Sequence, residues 1–223
     1  LQWRQSVMHT GVRRSIMRTL RNPCPAGWLG VLAGLACGVA CSGQVLGPEF
    51  TDDYTLADLG AIPGVPPRLG GIALKFNDPG TLIAGGNASG PFGAFYSIGV
   101  VRDAESHIVG FSGTAQYFCD GPYNDGGLLI MPNGTMIYTR YNTNQIGQIL
   151  PGSTVVNRVI DLTPLGVYRS VGGLAVVPAR LPGAGRMKVT SYSVHRWYDL
   201  EFNPAADGTF DITAAVWIGS FAS

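Results

Sequence analysis

Gly127-Leu-Leu-Ile-Met-Pro-Asn-Gly-Thr-Met-Ile-Tyr-Thr-Arg-Tyr-Asn-Thr-Asn-Gln-Ile146 is the stretch whose reading decides the fold. It opens on a short apolar run, Leu128–Met131, too short for a helix of ordinary length and rich in strand formers. Pro132-Asn133-Gly134 then supplies a hairpin turn, with Gly134 at the position that needs a positive φ. A second apolar run, Met136–Thr139, leads back, and Tyr141–Gln145 forms a polar turn. The preceding Gly126-Gly127 pair lets the backbone come close to a neighbour without a Cβ in the way.

Outward from this stretch the same order of parts recurs. Gly70-Gly71 precedes Ile72–Phe76, a turn containing Asp78-Pro79-Gly80, and Thr81–Ala84. Gly172-Gly173 precedes Leu174–Val177, a longer loop, and Arg186–Tyr192. The paired glycines are spaced 56 and 46 residues apart. Further strand signals lie at His107–Phe111 and Val155–Ile160, and no segment after Phe50 sustains a helical period. Strand-rich repeats near 40–50 residues read as β-propeller blades. The expectation is an all-β fold: a partial propeller over 43–223 with about three four-stranded blades starting near 71, 127 and 173. In each blade the glycine-led strand is the inner one, buried on both faces.

Gly127–Ile146 resembles an NHL-type blade, and more broadly the six-bladed propellers of the SMP-30 and TolB-like group. The resemblance extends over about 150 residues as three degenerate blades, the first with an insertion at Ala88–Gly93 and the third at Arg180–Ala184. It implies a ring of more than three blades. The expectation is therefore about half a propeller, truncated after the strand-like Ala214–Ser223, with an inner face that drives dimerisation or aggregation. The SMP-30 enzymes hold a divalent cation, such as Ca²⁺, with Glu, Asn and Asp at the axial mouth. Asn124 and Asp125 fall in a comparable place, but the family's early Glu has no counterpart here.

Composition sets the address. Residues 1–42 hold five arginines and no acid, and every one of the 14 Asp and Glu residues lies at Glu49 or beyond. Arg18 and Arg21, the apolar Ala26–Ala40 and the small Cys41-Ser42-Gly43 form the three parts of a secretory signal. Its 15-residue apolar run is shorter than the ~20 residues of a spanning helix. The expected route is export to the periplasm, the cell surface or the medium, with cleavage before Gly43. Acylation at Cys41 is the alternative, and no stable membrane span remains after cleavage. Residues 1–16 read as sequence upstream of a start at Met17 or Met8. The remaining body carries ten basic and fourteen acidic residues, a mildly acidic balance that excludes nucleic acid as a partner. Three of the four cysteines fall in the signal region, which leaves Cys119 without an internal disulfide partner.

Candidate site residues come from the loops at one end of the blades. The loops leading into the inner strands contribute Arg68, Asn124, Asp125 and Arg169. The loops after the second strands contribute Asn142 and Arg196, with Asn87, Asn144 and His195 beside them. Such a rim suits an unidentified small molecule, a glycan or a protein. Trp197, Tyr198, Tyr192 and Phe202 are candidates for stacking on a sugar, or alternatively for filling a blade core. Asp199 and Glu201 alternate on one strand face and read as solvated. Asp207–Asp211 has calcium-like spacing but reads as a hairpin turn. No HExxH, Gly-x-Ser-x-Gly or P-loop pattern occurs. The sequence thus points to a binding or interaction module. A metal-dependent propeller hydrolase of lactonase-like type, completed by further blades, is the second reading, and a quinone-dependent sugar dehydrogenase propeller the third.

Overall fold

The computed structural model describes residues 45–221. The predicted signal segment and Cys24, Cys37 and Cys41 lie outside them. The chain divides into two compact units after Asp58. In the first unit the described stretch carries a 3-10 turn at Pro48–Phe50, closed by Thr51 Oγ1 donating to Pro48 O at 2.9 Å. The rings of Phe50 and Tyr54 meet edge to face at 5.9 Å.

The second unit is all-β. Its described residues form twelve strands in three four-stranded antiparallel sheets. The first holds β1 (Ile72–Lys75), β2 (Asp78–Gly86), β3 (Ala94–Arg102) and β4 (Ile108–Asp120). The second holds β5 (Asn124–Ile130), β6 (Met136–Arg140), β7 (Gln145–Ile149) and β8 (Arg158–Asp161). The third holds β9 (Val171–Val176), β10 (Met187–Ser191), β11 (Arg196–Pro204) and β12 (Phe210–Ser220). In each sheet the order in space is the order in sequence. Each is therefore a meander of short connections, as turn residues every few positions dictate. No helix of the described residues is long and apolar enough to cross a membrane.

Turn chemistry explains the hairpins, with one correction. Gly134 sits at φ 85, as the Pro-Asn-Gly turn requires. In the first sheet, however, the turn is at Phe76-Asn77, and Asp78-Pro79-Gly80 already belongs to β2. Asn77 takes the left-handed position at φ 58, a conformation asparagine tolerates because its side chain can bond locally.

Alternation along the strands builds two seams. Met136 and Tyr138 of β6 face the first sheet, where they meet Ile83, Phe95 and Cys119. Phe95 and Tyr138 form an edge-to-face pair at 5.2 Å. Ile137 between them faces the third sheet and joins Ile146, Val171, Met187, Val189, Tyr198 and Leu200. Met136–Thr139 is thus buried on both faces, the condition in which a strand loses its polar alternation. This corrects the assignment of the most buried strand. The second and third strands, β6 and β7, are the most buried of the sheet, whereas the glycine-led β5 leaves Asp125 half-buried and Gly126 exposed. Cys119 is free and fully buried, and burial pushes its thiol up to about 12, so it behaves as a small hydrophobe.

The glycine-led strands lie side by side. Gly71 N–H donates to Asp125 O at 2.6 Å. A Cβ on Gly71 would stand 2.7 Å from Leu128 Cβ, and one on Gly127 would stand 2.5 Å from Gly172 O. Both distances are below any tolerable contact, so these two positions accept glycine alone. At the other end of the strands, buried Gln148 bridges the second and third sheets. Its Nε2 donates to Phe210 O at 2.7 Å and its Oε1 accepts from Phe210 N–H at 2.8 Å. Arg158 adds an ion pair to Asp211.

Candidate functional site

The loops β2–β3, β6–β7 and β10–β11 lie at one end of the sheets, together with the segments leading into β1, β5 and β9. The third sheet opens there into a pocket of ≈ 410 Å³. Asp125 comes from the start of β5 and Tyr141 from the β6–β7 turn; Thr190 and Trp197 come from β10 and β11, Tyr192 from the turn between them, and Phe221 follows β12. Gly172 and Gly173 form its floor, so backbone stands where side chains otherwise would.

Strand parity explains why these side chains meet. Thr190 and Trp197 are cross-strand partners in β10 and β11, and both point away from the second sheet. Their neighbours Val189 and Tyr198 point into the core. The four aromatic residues singled out for stacking are thereby split. Tyr198 and Phe202 serve the core, while Tyr192 and Trp197 line the pocket. Trp197 and Phe221 stand nearly perpendicular, 77° apart with centroids at 6.1 Å. His195 lies against both Phe221 and Tyr192.

Asp125 is the pocket's one acidic group. Burial raises its pKa, opposed by hydrogen bonds from Gly126 N–H and the Ser89 side chain. Asp125 has no ion pair among the described residues. Thr190 Oγ1 accepts from Gly173 N–H at 2.7 Å. That bond repeats one in the second sheet, where Thr139 Oγ1 accepts from Gly127 N–H at 3.1 Å. Thr139 goes on to donate to Gly172 O at 2.7 Å, whereas Thr190 reaches only its own partner's carbonyl, Gly173 O, at 3.5 Å.

Of the residues expected at the rim, Asp125 alone borders the pocket. Asn124 is fully buried, and its Nδ2 donates to Gly121 O at 2.7 Å and to Gly86 O at 3.3 Å. Its Oδ1 has no partner and is wedged beside Gly70 and Gly85, with no room for a ligand. Arg68 is exposed at φ 62, and its carbonyl accepts from Ala88 N–H. Asn142 Nδ2 donates to Ser89 O at 2.6 Å and ties two loops together. The Arg169 carbonyl accepts from Ser191 Oγ at 2.8 Å and from Ser193 Oγ. Arg196 lies between two aromatic faces, 5.0 Å from the Tyr168 centroid and 4.7 Å from that of Trp217. Sequence reasoning missed Tyr141, Thr190 and Phe221. For Thr190 a signal existed, since its position after Gly172-Gly173 matches that of Thr139 after Gly126-Gly127 once the third repeat's insertion is removed.

Two other expectations meet the structure. Asp199 is not solvated: Lys188, its cross-strand partner, and Arg186 both pair with it, and these bonds hold its carboxyl below the usual range against the cost of burial. Asp207 does shape a hairpin turn, its Oδ1 accepting from Thr209 N–H at 2.9 Å and from Thr209 Oγ1 at 2.6 Å. Among the described residues no group of three or more His, Cys, Asp or Glu is placed to hold a metal ion.

No protein-family model matches this sequence, and a search of curated proteins gives no match.

Proposed function

We propose that the chain is an exported binding module whose three sheets are successive propeller blades, and that it takes its ligand in the pocket beside Trp197. The observation that carries this reading is the pocket itself. Four aromatic side chains and one carboxylate line it, and two glycines keep its floor free of side chains. Exposed aromatic surface beside a few convergent polar groups is how small-molecule sites gain both affinity and orientation.

The blade reading is supported by equivalence of position. Gly127 and Gly173 N–H donate to the hydroxyls of Thr139 and Thr190, and at the matching place in the first sheet Gly85 N–H donates to Gly71 O. At both seams the glycine-led strand of one sheet lies against that of the next. Export is supported by the basic, apolar and small-residue order of Arg18–Gly43. The mature N-terminus, read from the secreted or periplasmic fraction, is expected at Gly43.

Ligand-observed NMR with a fragment library tests the site. Hits are expected to lose their saturation transfer in Trp197→Ala and Tyr192→Ala. Hits that persist unchanged in both variants would place binding elsewhere and remove the reading.

A further inference from the structure

We propose that this pocket recognises an organic ammonium cation of the trimethylammonium type. The inference rests on the pocket being the binding site, and it adds the class of ligand.

Three features of the wall select this class over a sugar. The first is charge. The lining holds one carboxylate, Asp125, and no lysine or arginine, so the site attracts a cation and sets no positive charge against an anion. The second is ring geometry. A sugar stacks on a flat platform, but Trp197 and Phe221 meet at 77° and form a corner. Tyr141 and Tyr192 stand on the same boundary. Aromatic walls in several orientations suit a compact cation, whose charge is attracted by the negative face of each ring. The third is that Asp125 is the wall's one strong acceptor, beside the weaker hydroxyls of Thr190, Tyr141 and Tyr192. A primary ammonium carries three N–H donors and needs an acceptor for each. Asp125 is already held by Ser89 and Gly126, and Thr190 Oγ1 already accepts from Gly173 N–H. A quaternary ammonium, fully substituted at nitrogen, has no N–H donors to satisfy and presents apolar methyl groups to the rings.

Burial adds to the effect. Half-buried Asp125 has no ion pair among the described residues. A bound cation would therefore supply its first close counter-charge in a site partly shielded from water, where such an interaction is stronger than at an open surface.

Isothermal titration of the full chain with choline and with its neutral isostere 3,3-dimethylbutan-1-ol tests the charge directly, because the two differ little in shape. Choline is expected to bind about tenfold or more tightly than the isostere, a difference of about 1.4 kcal/mol. Asp125→Asn and Tyr192→Ala are each expected to weaken choline by about tenfold, with unchanged far-UV circular dichroism as the folding control. Tyr192 is 66% exposed, so its truncation leaves the core intact. Equal affinity for choline and the isostere overturns the proposal. So does binding of a neutral disaccharide with quenching of Trp197 emission and no response to choline; that result retains the binding site and rejects only the ligand class. Silence towards choline, the isostere and the disaccharide alike overturns both.

Discussion

Gly127 and Gly173 occupy equivalent places in neighbouring sheets, yet their surroundings differ. A Cβ at Gly127 would meet Gly172 O at 2.5 Å, Leu174 Cβ at 2.7 Å and Thr139 Oγ1 at 2.7 Å. At Gly173 the nearest atom is Thr190 Oγ1 at 3.1 Å, followed by a methyl group at 3.6 Å. One sequence motif thus serves two ends. At the seam, the absent side chain lets two backbones close on each other. In the third sheet it leaves open space, and that space is the pocket floor. A glycine pair marks where backbone must stay bare, and the neighbours decide what the bareness is for.

Alanine substitution at the two positions breaks this comparison most sharply. Gly127→Ala drives a methyl group into a backbone carbonyl that cannot rotate away, and is expected to destabilise by about 3 kcal/mol, the upper end of overpacking effects. Gly173→Ala meets only the end of a rotatable side chain and is expected to fall within about 0.5 kcal/mol of the parent. Urea unfolding of both variants measures the pair. Equal costs would mean that the third sheet's face is as tightly covered as the seam.

Gln148 sharpens the same contrast from the far end of the strands. Its amide satisfies both polar groups of Phe210 in a fully buried position. Gln148→Ala strands a buried N–H and a buried C=O, and is expected to cost about 2–3 kcal/mol in thermal or urea unfolding. A cost below about 0.5 kcal/mol would show that the seam between the second and third sheets is wet.

These residues also show how far the sequence could be read. Glycine pairs, Pro-Asn-Gly and the short apolar runs point to strands and meanders because turn chemistry and strand period are local properties. Gln148 could not be recognised as a bridge, because its partner lies 62 positions away and no short-range pattern links them. Asp199 and Glu201 look equivalent on one strand face, and only cross-strand register sets Lys188 beside the first of them. For the pocket, the loop end and Asp125 were legible from strand order. Trp197 could be named but not distinguished from Tyr198, since parity assigns opposite faces without saying which face is open. Phe221 and Tyr141 carry no local signal, because their roles come from meeting across different segments.

The threonine pair repeats the comparison at a smaller scale. Thr139 is fully buried and links Gly127 N–H to the next sheet's Gly172 carbonyl. Thr139→Val leaves both groups short of a partner and is expected to cost about 1–2 kcal/mol. Thr190→Val removes the equivalent bond where water can replace it, and is expected to cost less than about 0.5 kcal/mol. Chemical denaturation of the two variants, with Trp emission as the probe, gives the difference. Reversed magnitudes would put the closed seam on the wrong side of the third sheet.

The smallest effect is in acid, at Asp199 in the third sheet. Lys188 and Arg186 hold its pKa below the unfolded value. The native state therefore binds fewer protons than the unfolded chain in the window between the two pKa values. The contribution is complete above the ordinary carboxylate pKa of about 4 and disappears as pH falls through the lower, folded value. Asp199 is buried, but Arg186 is 65% exposed and brings solvent and salt to the pair, so the gain at neutral pH is expected to stay at about 1 kcal/mol. Unfolding free energies of the parent and Asp199→Asn, measured from pH 6 downward, should converge in acid. A gap that widens as pH falls would reverse the sign of the shift. A gap of several kcal/mol at neutral pH would mean that the exposed Arg186 leaves the pair unscreened by solvent.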